Sequence, residues 1–581
     1  MTLGRARWIG WSALALLTFA SCKDDGDHRD KGGKAGSTGS SESSSGGSGD
    51  TSGGSAGTGG TAAGGSGATT GNAAGEDAGG TANQAGVDSG GSAGSGGSGG
   101  TGGTGGTDVP AECGNPAGEG VVVYQDIDSE TSWTCPVYTL TQPIYVHSSS
   151  EAPTILHIAA GVTVRGVKGT EGVKLPGALI ITRSGRIDAV GTAEAPIVFT
   201  TAESEANWGP GSWGGLMLLG RATVNAPANF EDSQRPAGEV YAEALPKTAY
   251  GLYGWPHADA GTGGSGGSSG TAGTAGSGGT ASGPSDEELD RWNCGTLRYA
   301  RINFAGFKAG STKELNGLTI GACGSDTVID HVQVHRSSDD GIEIFGGNVD
   351  LSHIVLTGNQ DDSLDWDQGW RGKAQFVAIQ THDDADSADS CGIEADGYAT
   401  PAAPVGKPSA PRLFNLTMIA SKSTQRGVRL RDGTQAFIGN ALLVSHAQGV
   451  PQGLIDIDGV MTADYLAAGK LVITHSVFRG VWPAAGQADM LGSTYLEQDY
   501  FTGTGAGAEG NDVISAASEL FLNAFNVSAP EWVPAASSAA TEHAAAPSDV
   551  DGSTFFDAGA SYRGAFAPGG DDWTAGWTSY P

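Results

Sequence analysis

The chain has 581 residues, 98 of them Gly, and carries 31 Lys+Arg against 64 Asp+Glu for a net charge of −33. Average Gly usage is about 7 %, so one evenly composed domain is excluded and the surplus must sit in particular tracts. A chain this acidic cannot neutralise a phosphate backbone, which argues against nucleic acid and against a polybasic membrane-surface patch. Its 38 % hydrophobic content still allows a large core once the Gly-rich tracts are set aside.

At the N-terminus, Arg5 and Arg7 precede a short apolar run over 8–19. That length suits a signal peptide and falls short of the ~20 residues of a bilayer-spanning helix. Phe19-Ala20-Ser21-Cys22 resembles a bacterial lipobox, which implies a signal peptide over 1–21, cleavage before Cys22 and acylation of its thiol. Cys22-Lys23-Asp24-Asp25 is similar to the surface-export signal of some Gram-negative lipoproteins. The expected address is therefore the outer membrane or cell surface, with the lipid as the attachment to the membrane. Within 22–108, residues from about 32 to 107 are almost all Gly, Ser, Thr and Ala. They cannot bury enough surface to offset chain entropy, so a flexible tether is expected. A similar tract over 259–286 is expected to be a disordered insert in the folded part, 109–581.

With Cys22 acylated, five cysteines remain and none forms a CxxC pair. In an oxidising compartment the sequence-local pairings are Cys113–Cys135 and Cys294–Cys323, with Cys391 left as a buried thiol. Sequence alone does not fix the connectivity.

From about 155 the chain shows strand-like runs bounded by Gly, Asn and Asp. Leu156, Ile158 and Val164 recur 23 residues later as Leu179, Ile181 and Ile187, a spacing near one coil of a parallel β-helix. Further on, a pattern of Gly or Ser, apolar, variable, apolar returns. Its copies are Gly215-Leu216-Met217-Leu218, Gly317-Leu318-Thr319-Ile320, Gly341-Ile342-Glu343-Ile344, Ser363-Leu364-Asp365-Trp366, Gly392-Ile393-Glu394-Ala395, Gly427-Val428-Arg429-Leu430 and Gly453-Leu454-Ile455-Asp456. The steps between the later copies are 24, 22, 29, 35 and 26 residues. A second alternating run lies between copies, with no helical period, which excludes a doubly wound α/β fold. Variable steps suit a solenoid whose coils grow loops on one side. The expected fold is all-β, a parallel β-helix of about ten coils, monomeric, with a C-terminal cap region over 481–581.

Several stretches carry a family resemblance. They are Gly177-Ala178-Leu179-Ile180-Ile181, Ala195-Pro196-Ile197-Val198-Phe199-Thr200, Trp213-Gly214-Gly215-Leu216, Ile329-Asp330-His331-Val332-Gln333-Val334, Asp339-Asp340-Gly341-Ile342-Glu343 and Tyr562-Arg563-Gly564-Ala565-Phe566 with Asp572-Trp573-Thr574-Ala575-Gly576-Trp577. Together they resemble bacterial surface lipoproteins with a right-handed parallel β-helix of pectin-lyase-like type. The resemblance spans roughly 114–580. It implies the fold and an envelope location, and no activity.

In the aligned pattern the variable position is Glu343, Asp365, Glu394 and then Arg429. If the flanking apolar residues point inward, these four point outward, one above another. The adjoining turns add Asp339, Asp340, Asp361, Asp362, Asp367, Asp396, Arg431 and Asp432. Three readings stand open. In the first, acidic turn residues form a solvated strip. In the second, stacked carboxylates repel unless a cation neutralises them, and Asp340, Glu343, Asp362, Asp365, Glu394 and Asp396 are candidate ligands for Ca²⁺, alone or bridging an acidic glycan. In the third, the strip is catalytic, with Asp340, Glu343, Asp362, Asp365, Glu394 and Arg429 as candidates. Asp-Asp-Gly-Ile-Glu looks like the corner of polygalacturonase-like hydrolases, and carboxylates beside an Arg look like calcium-dependent pectate lyases. The His-Gly and Arg-Ile-Lys motifs of the hydrolases are absent.

Strand histidines His331, His335, His353 and His446 read as structural, because their spacing is no zinc signature. Trp208, Trp213, Trp366 and Trp370 read as packing or loop cover before sugar platforms. The leading functional expectation is non-catalytic recognition of a glycan, metal or envelope partner, or adhesion. The alternative is a polysaccharide lyase or glycoside hydrolase.

Overall fold

The computed structural model describes residues 113–115, 117–256, 284–310, 313–385, 390–482, 497–503 and 506–581. The expected signal peptide, Cys22, the expected tether and most of the expected insert lie outside them. Residues 284–286 of the expected insert are described. The described chain resumes at 284, and Ser285 caps the short helix Asp286–Asp290 by accepting from the Glu288 N–H while Glu288 accepts from Ser285. Such a reciprocal pair satisfies two amide donors that a helix start leaves free.

The strands wind as a parallel β-helix. Each coil places one strand in a nine-stranded parallel sheet that runs from Pro143–Val146 to Gly453–Ile457. The rest of each coil enters a larger, seventeen-stranded sheet. The alternating pattern explains the core. Leu216 and Leu218, Leu318 and Ile320, Ile342 and Ile344, Leu364 and Trp366 point inward from successive coils and are fully buried or nearly so. Each is in register with its neighbour one coil away.

Two register expectations are corrected. The 23-residue recurrence is not a coil: Leu156 stacks on Ile187, whereas Leu179 belongs to the other sheet and stacks on Ile144 and Leu216. Both sheets share the alternation, so a recurrence can align different faces. The last copy of the pattern is one residue out, since Val428 pairs with Ile455 and Arg429 with Asp456. A one-residue slip would have turned every apolar side chain outward.

In the larger sheet the long strands Gly295–Asn303, Val328–His335, Asp350–Thr357, Lys373–Gln380 and Arg412–Ala420 each bend at one residue. The bend residues Tyr299, His331, His353, Phe376 and Asn415 have φ of +48°, +55°, +53°, +61° and +56°. The left-handed region costs a non-Gly residue roughly 1 kcal/mol or more. Here the cost is offset because the bend aims successive side chains into one outward column. Tyr299, His331, His353 and Phe376 stack ring on ring at 4.3, 4.2 and 4.8 Å.

Two segments cover outer faces. The antiparallel hairpin of Glu239–Tyr241 and Leu252–Gly254 packs Val240, Leu245 and Tyr253 against the outward Ile180, Met217 and Leu219 of the nine-stranded sheet. From 514 onward the chain lies against the larger sheet, where Leu520, Phe521, Trp532, Phe566 and Trp577 meet Val355, Ala378, Ile419 and Leu442. Outward amides fasten this segment. Gln333 donates to Ser579 O at 2.8 Å and accepts from Ser579 N at 2.9 Å. Asn440 does the same with Ala545, at 2.8 and 2.9 Å. The region expected to cap 481–581 therefore also runs back along the side of the coils. Disulfides join Cys113 to Cys135 and Cys294 to Cys323, and Cys391 is a buried thiol. Among the described residues no helix is long and apolar enough to cross a membrane.

Candidate metal centre

The outward column of the nine-stranded sheet reads Met217, Thr319, Glu343, Asp365, Glu394, Arg429, Asp456, each in register with the next. The stack expected from the sequence is thus present, but it is no solvated strip. Asp340, Asp362 and Asp365 are only 7 %, 5 % and 8 % exposed. The reason is local. Corner aspartates accept backbone N–H groups from the next coil: Asp340 Oδ1 from Asp362 N at 3.0 Å, and Asp362 Oδ1 from Cys391 N at 2.5 Å. They therefore lie between coils and do not project into water.

The column divides by charge balance. At its C-terminal end Glu394, Asp396, Asp456 and Asp458 each have an arginine partner. Arg429 donates to Glu394 at 3.0 Å and to Asp458 at 2.9 Å. Arg431 holds Asp396 at 2.6 and 3.0 Å and lies 3.3 Å from Glu394, and Arg426 holds Asp456 at 2.5 Å. Burial pushes Glu394 up to about 7, with Arg431 and Arg429 opposing it and Asp396 adding to it.

N-terminal to these, three carboxylates cluster without a cationic partner among the described residues. Asp340, Glu343 and Asp365 bring ligand oxygens within 4.8 Å of each other. Among the described residues no Lys or Arg pairs with them. Asn316 Nδ2 donates to Glu343, and Asp365 Oδ1 is buried with no hydrogen-bond partner. Burial raises all three well above the usual carboxylate range. Asp362 and Asp365 add to the rise at Asp340, Asp340 to that at Glu343, and Glu343 to that at Asp365. A second group, Glu314, Asp339 and Asp361, adjoins it through the consecutive Asp339 and Asp340. There Lys308 lies 3.4 Å from Glu314.

Of the six residues expected as cation ligands, three converge. Asp362 is grouped instead with Cys391 and Glu394, while Glu394 and Asp396 are taken by arginines. Buried carboxylate oxygens without cationic partners suit a hard divalent ion, and Ca²⁺ completes six to eight ligands with carbonyls and waters. Arg429, one of the catalytic candidates, is engaged by two carboxylates. Among the tryptophans, Trp213, Trp366 and Trp370 are fully buried and Trp208 is 37 % exposed. The sequence reading missed Glu314, Asn316 and the covering hairpin. None repeats with the coil, so only tertiary contact finds them.

The family model for the pectate-lyase-like β-helix domain matches residues 126–243 and 262–532. The chain belongs to this family. The two matched stretches flank an interruption at 244–261 that overlaps the second hairpin strand and the start of the Gly-rich tract. No curated protein and no solved structure matches the chain. Within the pectate-lyase-like β-helix, the carboxylate cluster spans the coils four and three before the last on the outer side of the nine-stranded sheet.

Proposed function

We propose that this pectate-lyase-like β-helix is a lipid-anchored protein of the outer membrane or cell surface that recognises an acidic glycan through a bound divalent cation, Ca²⁺ foremost, without cleaving it. The observation that carries the reading is the Asp340–Glu343–Asp365 cluster, with no basic partner among the described residues and with Asp365 Oδ1 unsatisfied. A cation there neutralises the cluster, and Glu343, its one half-buried member, marks the side from which a uronate carboxylate would reach the ion. Non-catalytic binding is favoured over lyase chemistry because Arg429 is already held by Glu394 and Asp458, so it is not free to take a proton from a substrate carbon.

Calorimetric titration of the chelated full chain with Ca²⁺ should show one saturable site, and glycan-array binding to uronate polymers should require Ca²⁺. No heat on titration refutes the metal site. Unsaturated products from a uronate polymer would establish the lyase instead. Cys22→Ser protein should leave the membrane fraction, and its retention after high-salt washing would refute the anchor.

A further inference from the structure

The column of bend residues carries a second donor set on the other sheet. His331 and His353 are 22 residues apart, one coil, and stack with ring centroids 4.2 Å apart. Their equal left-handed bends aim both rings the same way. Both Nδ1 atoms converge on one oxygen: Asp330 Oδ1 lies 2.8 Å from His331 Nδ1 and 2.9 Å from His353 Nδ1. Arg298 Nε takes the other oxygen, Oδ2, at 2.9 Å. The three side chains are 12 %, 26 % and 17 % exposed for His331, His353 and Asp330, so an ion can reach them. Trp573 and Trp577 set their edges against the rings at 5.1 and 5.7 Å, forming a partly dry wall beside the three donors.

We propose that His331, His353 and Asp330 form a binding site for a borderline transition-metal ion, Zn²⁺ or Cu²⁺, distinct from the carboxylate cluster. Two imidazole nitrogens and a carboxylate oxygen are the donors such ions prefer over Ca²⁺. A tetrahedral zinc with Zn–N of about 2.0–2.1 Å holds two nitrogens about 3.3 Å apart. The ligand atoms of the three side chains lie within 4.8 Å of one another, so the two nitrogens need approach by at most about 1.5 Å to reach that. On binding, each ring moves its proton to Nε2 and turns the Nδ1 lone pair to the ion. Asp330 exchanges two hydrogen bonds for one metal bond, and Arg298 keeps Oδ2 in place. Water completes the coordination. The ordinary search for Cys and His at short spacing misses this site, because its period is that of the coil.

The test uses the full chain in excess Ca²⁺, which keeps the carboxylate cluster occupied and separates this site from that one. Titration with Zn²⁺ should give one equivalent bound. His353→Phe keeps an aromatic ring in the stack, beside Phe376, and should weaken Zn²⁺ binding at least about tenfold. The melting temperature of the metal-free protein should hardly change. The Cu²⁺-loaded wild type should show two coordinated imidazole nitrogens by electron paramagnetic resonance, a readout that needs no variant to fold. No Zn²⁺ heat, undiminished affinity in His353→Phe, or fewer than two nitrogens overturns the proposal.

Discussion

Replacing Asp365 by Asn distinguishes a cation site from a merely acidic fold. The three carboxylates of its cluster lie within 4.8 Å of one another. At an effective permittivity near 20, two unit charges at that distance repel by about 3–4 kcal/mol, and three pairs by about 10 kcal/mol. The metal-free cluster therefore holds protons at neutral pH, in keeping with the raised values of Asp340, Glu343 and Asp365. The sign follows. Between the ordinary carboxylate range near pH 4 and the raised folded values, the native state binds more protons than the unfolded one, so stability falls as pH rises. In chelator the wild type should melt lower at pH 8 than at pH 5. Ca²⁺ displaces those protons, so its stabilising effect should grow with pH and reach about 2.7 kcal/mol at a hundredfold excess over Kd. For roughly 420 described residues, the unfolding entropy of about 0.9 kcal/mol per kelvin makes that a shift of about 3 °C. Asp365→Asn removes two of the three repelling pairs. In chelator at pH 8 it should melt a few degrees above wild type, with little difference at pH 5 where protons already neutralise the cluster, and Ca²⁺ should no longer move it. Thermal unfolding of both proteins, with Ca²⁺ and with chelator at pH 5 and 8, decides the matter. A wild type indifferent to chelator, or a variant that melts below it in chelator, refutes the reasoning.

Other expectations follow from the packing. Arg429→Met leaves Glu394 and Asp458 without their shared partner and should cost about 3 kcal/mol, read as a lower urea midpoint at both high and low Ca²⁺. An unchanged midpoint would free Arg429 for a catalytic role. Trp577→Ala empties a site only 1 % exposed and should cost about 3–5 kcal/mol; proteolysis should then cut first in the segment after 514. If that segment stays as resistant as in wild type, its packing is not what holds it. Each disulfide closes a short loop, with separations of 22 and 29 residues, and reduction should cost about 3 kcal/mol per bridge. Equal melting temperatures with and without reductant would contradict this.

The sequence by itself determined the coil. Alternation with Gly or Ser at the corner can bury its apolar residues only if each strand lies on its equivalent one coil away. That requirement placed Glu343, Asp365, Glu394 and Arg429 in one column before any coordinates. The cysteine connectivity was not settled that way; the structure shows the bridges Cys113–Cys135 and Cys294–Cys323. What the sequence could not supply was the surroundings of each rung. Whether an outward Asp meets water, an Arg or another Asp depends on segments without a period: the hairpin ending at Leu252–Gly254, the loop bearing Glu314, and the chain after 514. The left-handed bend that stacks His331 on His353 was hidden for a related reason. Gly is the usual residue for that conformation, and here aromatic and His side chains adopt it because the neighbouring coils supply the ring contacts that offset its strain. Periodicity fixes which residues are neighbours along the coils; the charge and dryness of a site come from whatever non-repeating chain is folded against it.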